Sequence, residues 1–328
     1  RGGTGDDLLF GGEGDDLVFG DAGTDSIHWN YTQGNDTNDG GTGTDELVLF
    51  GYEINAELIY AQPTPTDPTP WNRYYVDSNL PDIVSVTEHL PSVTQGKYQS
   101  IINWTQGSSS ATLQADQLEA LNIDTGRGSD DIDVANLMRT HTTVVRVNTG
   151  THKSVGEEIR RAQKLDDNNN LVDRKDDANN FIDEVFKIQQ QQPEDAIDSV
   201  RIHGTEGDDH YRVEVIESID ANGASQRALR YRQLTGEQDE LGQDLSHVIV
   251  DIFDLELDDR AKLIADNGAD RIESIIEQPA TGPQTQIVNY LFLDGGAGND
   301  TITGSMHPGI HDVIIGGQGD DILTGRTG

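Results

Sequence analysis

Aspartates recur along the chain at a fixed distance behind glycines. Asp7, Asp16 and Asp25 each follow a glycine by two places (Gly5, Gly14, Gly23) and precede a branched apolar residue by two (Leu9, Val18, Ile27), within three abutting nine-residue blocks, GGTGDDLLF, GGEGDDLVF and GDAGTDSIH. Glycines let the backbone turn through φ > 0 and point successive carbonyls into one small space, and a sixth-place Asp aims a carboxylate at the same space. Such a pocket is all hard oxygen. Calcium takes about six to eight oxygens in tolerant geometry, whereas magnesium holds its water and zinc prefers nitrogen and sulfur, so calcium is the ion these residues suit.

The same spacing returns elsewhere. Gly34 and Asp36 occupy it in YTQGNDTND, although Asn38 stands at the apolar place, and Gly43 and Asp45 occupy it in GGTGTDELV. Asp300, Asp312 and Asp321 take the sixth places of GGAGNDTIT, HPGIHDVII and GGQGDDILT. Copies without the leading glycines carry Asp130, Asp209 and Asp270, followed at the eighth place by Ile132, Tyr211 and Ile272. The candidate metal ligands are therefore these aspartates, with turn residues Gly2, Thr4, Gly11, Glu13, Gly20, Gly23, Gly34, Gly41, Gly43, Gly295, Ala297, Gly317 and Gly319.

A nine-residue unit cannot bury its single apolar residue alone, so the period predicts a stack of coils. The blocks resemble the hemolysin-type calcium-binding repeat (RTX), whose pattern is G-G-x-G-x-D-x-U-x. That resemblance implies two nonapeptides per coil and an ion held between turns two blocks apart. It would pair Asp7 with Asp25, Asp25 with Asp45 and Asp300 with Asp321, with Asp312 facing the other edge. The expected fold is all-β dominated: a calcium-binding parallel β-roll, or β-solenoid, with a β-rich insertion and a small helical one. Residues 1–50 would form an N-terminal array, 51–120 a β-rich insertion with a Pro-rich loop, 121–290 degenerate coils with a helical insertion near 153–192, and 291–328 a C-terminal array. The chain opens and closes inside a repeat, which reads as a segment of something longer.

Composition narrows the partners. The chain has 328 residues and a formal net charge of −37, a self-repulsion that divalent cations would relieve. Nucleic acid needs clustered Lys and Arg, so it is not an expected partner. No cysteine is present, which excludes disulfides, thiol catalysis and cysteine-bound metal. No apolar run approaches the ~20 residues of a membrane span.

The middle of the chain offers other chemistry. Ser154 with Glu157 fits a helix capping box, and Ile159, Ala162, Leu165 and then Phe181, Val185, Ile188 recur at helical spacing. Between these stripes Asp166, Asn168, Asn170 and Asp177 take places one, three, five and twelve of an EF-hand-like ring, but Leu171 stands where Gly would turn the loop, so a solvated acidic loop is the competing reading. His307 and His311 are four apart, yet Pro308 and Gly309 between them argue for a surface turn. Trp71, Tyr74 and Tyr75, beside the proline loop at 62–70, are the candidates for glycan contact. Neither HExxH, a G-x-S-x-G elbow nor a P-loop occurs. The residues favour a non-catalytic calcium module of a large secreted or cell-surface protein of adhesin, surface-layer or filament type, with copies of itself or surface glycans as further partners. The resemblance implies type I secretion and folding on meeting calcium. A secreted RTX enzyme with an unfamiliar site in residues 49–290 is the rival.

Overall fold

The computed structural model describes residues 1–51, 53–54, 75–76, 81–94, 97–126, 128–149, 154–161, 163–165, 171–173, 183–190, 197–219, 225–239, 242–253, 255, 259–277 and 288–327. Among them every regular element is a strand, and two sheets of ten and eleven strands carry the architecture. Successive strands at the N-terminus alternate between the sheets: Leu8–Phe10 in the larger, Leu17–Phe19 in the smaller, Ser26–Asn30 in the larger, Thr37–Asp39 in the smaller and Glu46–Phe50 in the larger. The C-terminus repeats the alternation through Arg260–Ile264, Arg271–Ser274, Tyr290–Asp294, Thr301–Thr303, His311–Ile315 and Ile322–Thr324.

The eighth-place apolar residues fix the register. In the larger sheet Leu9, Ile27, Leu47, Leu121, Val145 and Val250 stand opposite one another in parallel pairs. In the smaller sheet Val84, Ile132, Val200, Ala261 and Leu291 do the same. Ile27, Leu47, Leu121 and Ile132 are fully buried between the sheets, each contributing roughly 2 kcal/mol of transfer free energy. A one-residue slip would turn the whole column outward. Trp29, Tyr31 and Trp104 are buried together in this core, with Trp29 edge-on to Trp104 at 6.3 Å and Tyr31 stacked on Trp104 at 6.4 Å.

Each sheet is interrupted once by an antiparallel meander. Asp82–Thr94, Lys97–Gln106 and Ser109–Asp116 enter the smaller sheet, and His210–Ile219, Ser225–Gln238 and Asp244–Phe253 enter the larger. Strands from all four expected segments thus share the two sheets.

The helical insertion expected near 153–192 is not seen. Its described backbone is strand: Ser154–Arg161 pairs antiparallel with Asp183–Gln190, and Gln163–Leu165 with Leu171–Asp173. The register sets Glu157 opposite Lys187, Arg160 opposite Glu184 and Arg161 opposite Asp183. Val155, Gly156 and Ile159 are poor helix formers, and together they outweigh the capping box. Asp166, Asn168, Asn170 and Asp177 lie outside the described residues, as do Trp71 and Tyr74.

Candidate metal centre

The sixth-place aspartates stack directly on one another. The backbone N–H of Asp7 donates to Asp25 Oδ1 at 2.9 Å, that of Asp25 to Asp45 Oδ1 at 2.8 Å, and that of Asp16 to Asp36 Oδ1 at 2.9 Å. Near the other end the N–H of Asp209 donates to Asp270 Oδ1 at 2.7 Å, that of Asp270 to Asp300 Oδ1 at 2.8 Å, and that of Asp300 to Asp321 Oδ1 at 3.0 Å. One place earlier the polarity reverses. Asp6, Asp15, Asp208 and Asn299 accept through their side chains from the N–H of Thr24, Asn35, Ala269 and Asp320 in the following coil. Each turn therefore clasps its neighbour in both directions.

These bonds use one carboxylate oxygen and leave the other. Oδ2 of Asp7, Asp16, Asp25, Asp45, Asp270 and Asp300 is buried without a hydrogen-bond partner. In the array at the C-terminus it lies against the first glycine of its own block, where a Cβ on Gly295 would overlap Asp300 Oδ2. Burial, the largest cause, raises the carboxyl pKa values of Asp36, Asp45, Asp270 and Asp300, and the like charge of the stacked neighbour adds to it. Asp270 is pushed up to about 7. A buried carboxylate oxygen with no donor, beside another carboxylate, is a costly arrangement that a cation offsets.

The donor set fits calcium. No group of three or more His, Asp or Glu side chains gathers among the described residues, so main-chain oxygens of the glycine turns would complete any shell, with Asp7, Asp25 and Asp45, or Asp270, Asp300 and Asp321, as the anionic ligands. Gly23 (φ 153°), Gly43 (φ 145°), Gly298 (φ 146°) and Gly319 (φ 142°) hold those turns in a conformation that side chains with a Cβ rarely adopt. At the second place of two blocks Asp21 (φ 74°) and Asp266 (φ 70°) take the left-handed conformation that glycine supplies in the others. A bound ion would neutralise the stacked charges and crosslink adjacent coils.

A further column runs through the middle of the chain, with a glycine two places before the acid only at Asp130. The N–H of Asp82 donates to Asp130 Oδ1 at 2.8 Å, that of Asp130 to Asp198 at 2.8 Å, and that of Asp198 to Asp259 at 2.9 Å. Where the meanders break the parallel stack, a side chain supplies the missing donor. Trp104 Nε1–H donates to Asp82 Oδ1 at 2.8 Å, and Gln233 Nε2–H to Asp209 Oδ1 at 2.7 Å. Trp104→Phe should therefore cost about 1–3 kcal/mol in denaturant unfolding at millimolar calcium. Trp29→Phe, which removes a buried Nε1–H that has no acceptor, should cost less. Equal losses for the two would refute the capping role.

Several expected residues stand differently. Asp209 has both oxygens engaged, because Oδ2 accepts the Thr205 N–H at 2.6 Å. Asp312 does not join a carboxylate stack: it pairs in register with Leu291, and its Oδ2 accepts the Ser305 N–H at 2.7 Å. That register puts it at the eighth place of the coil, where neighbouring coils of this sheet carry Ala261 and Leu291, although its block spacing puts it at the sixth. His307 is in a turn, as expected, but buried rather than on the surface, with Nδ1 accepting the Gly309 N–H at 3.1 Å. Sequence reasoning missed Asp82, Asp198 and Asp259, and also Glu119, whose Oε2 accepts the Asp45 N–H at 2.8 Å. Their signal is an acid two places before a buried apolar residue, as in Asp82 and Val84, Asp198 and Val200, or Glu119 and Leu121.

The RTX calcium-binding nonapeptide repeat matches the chain in four copies, at residues 1–27, 292–306 and 311–328. Both ends of the chain thus match the RTX calcium-binding repeat. No curated protein and no solved structure matches it.

Proposed function

We propose that the chain is a calcium-loaded structural module whose coils form a parallel β-roll, part of a large secreted or cell-surface protein of adhesive or filament-forming type. The observation that carries this reading is the series of buried Oδ2 atoms without donors, stacked coil upon coil in the arrays that match the RTX repeat. Without the ion the stacked carboxylates repel one another within a chain of net charge −37. With it, ion binding free energy becomes folding free energy. Extracellular calcium, typically far more abundant than the metal inside a cell, would then couple folding to arrival outside. Asp166, Asn168, Asn170 and Asp177 are weaker candidates for a separate site.

Far-ultraviolet circular dichroism during a calcium titration, paired with calorimetry for stoichiometry, tests this. The expected result is β signal that grows with calcium and several bound ions per chain. A β signal already complete in chelator, with no heat of calcium binding, would overturn the proposal.

A further inference from the structure

Away from the aspartate columns, a cleft of about 800 Å3 opens on one side of the stack and is lined by Glu88, Asp133, Arg139, His203, Glu206 and Asp266. It crosses successive coils: Glu88 lies on Asp82–Thr94, Asp133 on the paired Asp131–Val134, His203 on the paired Ser199–His203, and Asp266 in the turn after Arg260–Ile264. Four rungs at ~4.8 Å spacing give it a floor about 14 Å long.

Its charged groups are joined in a network. His203 stands between two carboxylates, with Nε2 3.3 Å from Asp133 Oδ1 and Nδ1 3.3 Å from Asp266 Oδ2. Arg201 also binds Asp133, Arg139 pairs with Glu88, and Glu206 accepts from the Asn267 amide. Partial exposure keeps these groups available to a ligand: Arg139 is 56% exposed and Asp133 36%. No large aromatic ring lines the cleft.

We propose that this cleft binds a short neutral oligosaccharide. Arg139 and His203 already pair with carboxylates, so an anionic ligand would have to break a pair to gain one, and of the lining carboxylates only Glu206 pairs with a neutral group, the Asn267 amide. A hydroxyl both donates and accepts, and adds to a carboxylate, guanidinium or imidazole without displacing its partner. Vicinal hydroxyls suit the two-oxygen and forked-donor edges of Asp133, Asp266 and Arg139. The length of the floor suits a few sugar rings in a row. The site is independent of the aspartate columns except that the coils must be folded.

The test is isothermal titration at millimolar calcium of the full chain with maltotriose, cellotriose, β-1,4-galactotriose, trigalacturonate and spermine. The variants are Glu88→Ala with Arg139→Ala, which removes a pair and leaves no lone charge, and Glu206→Ala at an exposed position. Circular dichroism checks that each remains folded. At least one neutral trisaccharide should bind, and both variants should weaken it fivefold or more. Binding of none of the neutral sugars, a preference for trigalacturonate or spermine, or sugar binding unchanged in both variants would each overturn the proposal. Calcium-dependent folding with no sugar binding would reject the cleft and leave the calcium reading standing.

Discussion

Asp270→Asn is expected to stabilise the protein in chelator and weaken it in calcium. In the folded chain Asp270 accepts the Asp209 N–H, donates its own N–H to Asp300, and keeps Oδ2 buried without a donor. Burial first, then the charges of Asp209 and Asp300, lifts its pKa from 3.8 to about 7. The folded state thus binds more protons than the unfolded state between about pH 4 and 7, so calcium-free stability falls as pH rises through that window and levels above it. Asparagine keeps an oxygen for the Asp209 N–H and carries no charge. At pH 8 in chelator it should gain on the order of 2 kcal/mol, about half the ceiling set by a three-unit shift, because residual solvation softens the penalty. In calcium the sign reverses, since one anionic ligand is gone: the calcium midpoint should rise tenfold or more. Denaturant unfolding of both proteins at pH 5 and pH 8, with chelator and with calcium, measures all four corners. Loss of stability in chelator at pH 8, or an unchanged calcium midpoint, would count against Asp270 as a ligand.

The second large effect is positional. Gly14, Gly34 and Gly298 each carry a positive φ, of 116°, 123° and 146°. A Cβ on Gly14 meets nothing within 4 Å, whereas one on Gly34 overlaps the Gly14 carbonyl and one on Gly298 overlaps the Gly268 carbonyl of the adjacent coil. Gly14→Ala should then cost only the conformational strain, roughly 1–2 kcal/mol. Gly298→Ala adds forced separation of two coils at backbone atoms that cannot swing aside, and should cost about 3 kcal/mol or more. Unfolding at saturating calcium, with limited proteolysis to show which array opens first, separates them. Similar losses at the two positions would mean that the turns are not packed coil upon coil as described.

The end arrays were legible because there the glycines, the aspartate and the apolar residue all repeat in phase, and each has a separate physical duty. Asp7, Asp25 and Asp45, and Asp300 with Asp321, stack on one another through N–H to Oδ1 hydrogen bonds. The middle was less legible because only part of the pattern is needed to continue a coil. Asp82, Asp198 and Asp259 extend a column with no glycine two places before them, so a search keyed on that spacing passes over them. Asp312 misled in the other direction: its block matches by spacing, yet strand pairing sets it in register with Leu291. The two meanders were readable as strands from their alternation, but not their insertion into opposite sheets, which depends on partners distant in sequence. The region near 154–190 has helix-like spacing, yet its described stretches pair as strands.

Gly51 and Asp82 hold a further meaning. They occupy the first and sixth places of one turn, with a Cβ on Gly51 overlapping Asp82 Oδ2, although Asp82 comes 31 residues later instead of five. Closing the longer loop costs only about 2 kcal/mol more. The coil thus senses two fixed posts and is indifferent to the span of chain between them. Such a turn works as a socket: because closure cost grows only slowly with loop length, a replacement segment of another length there should leave the rungs on either side aligned.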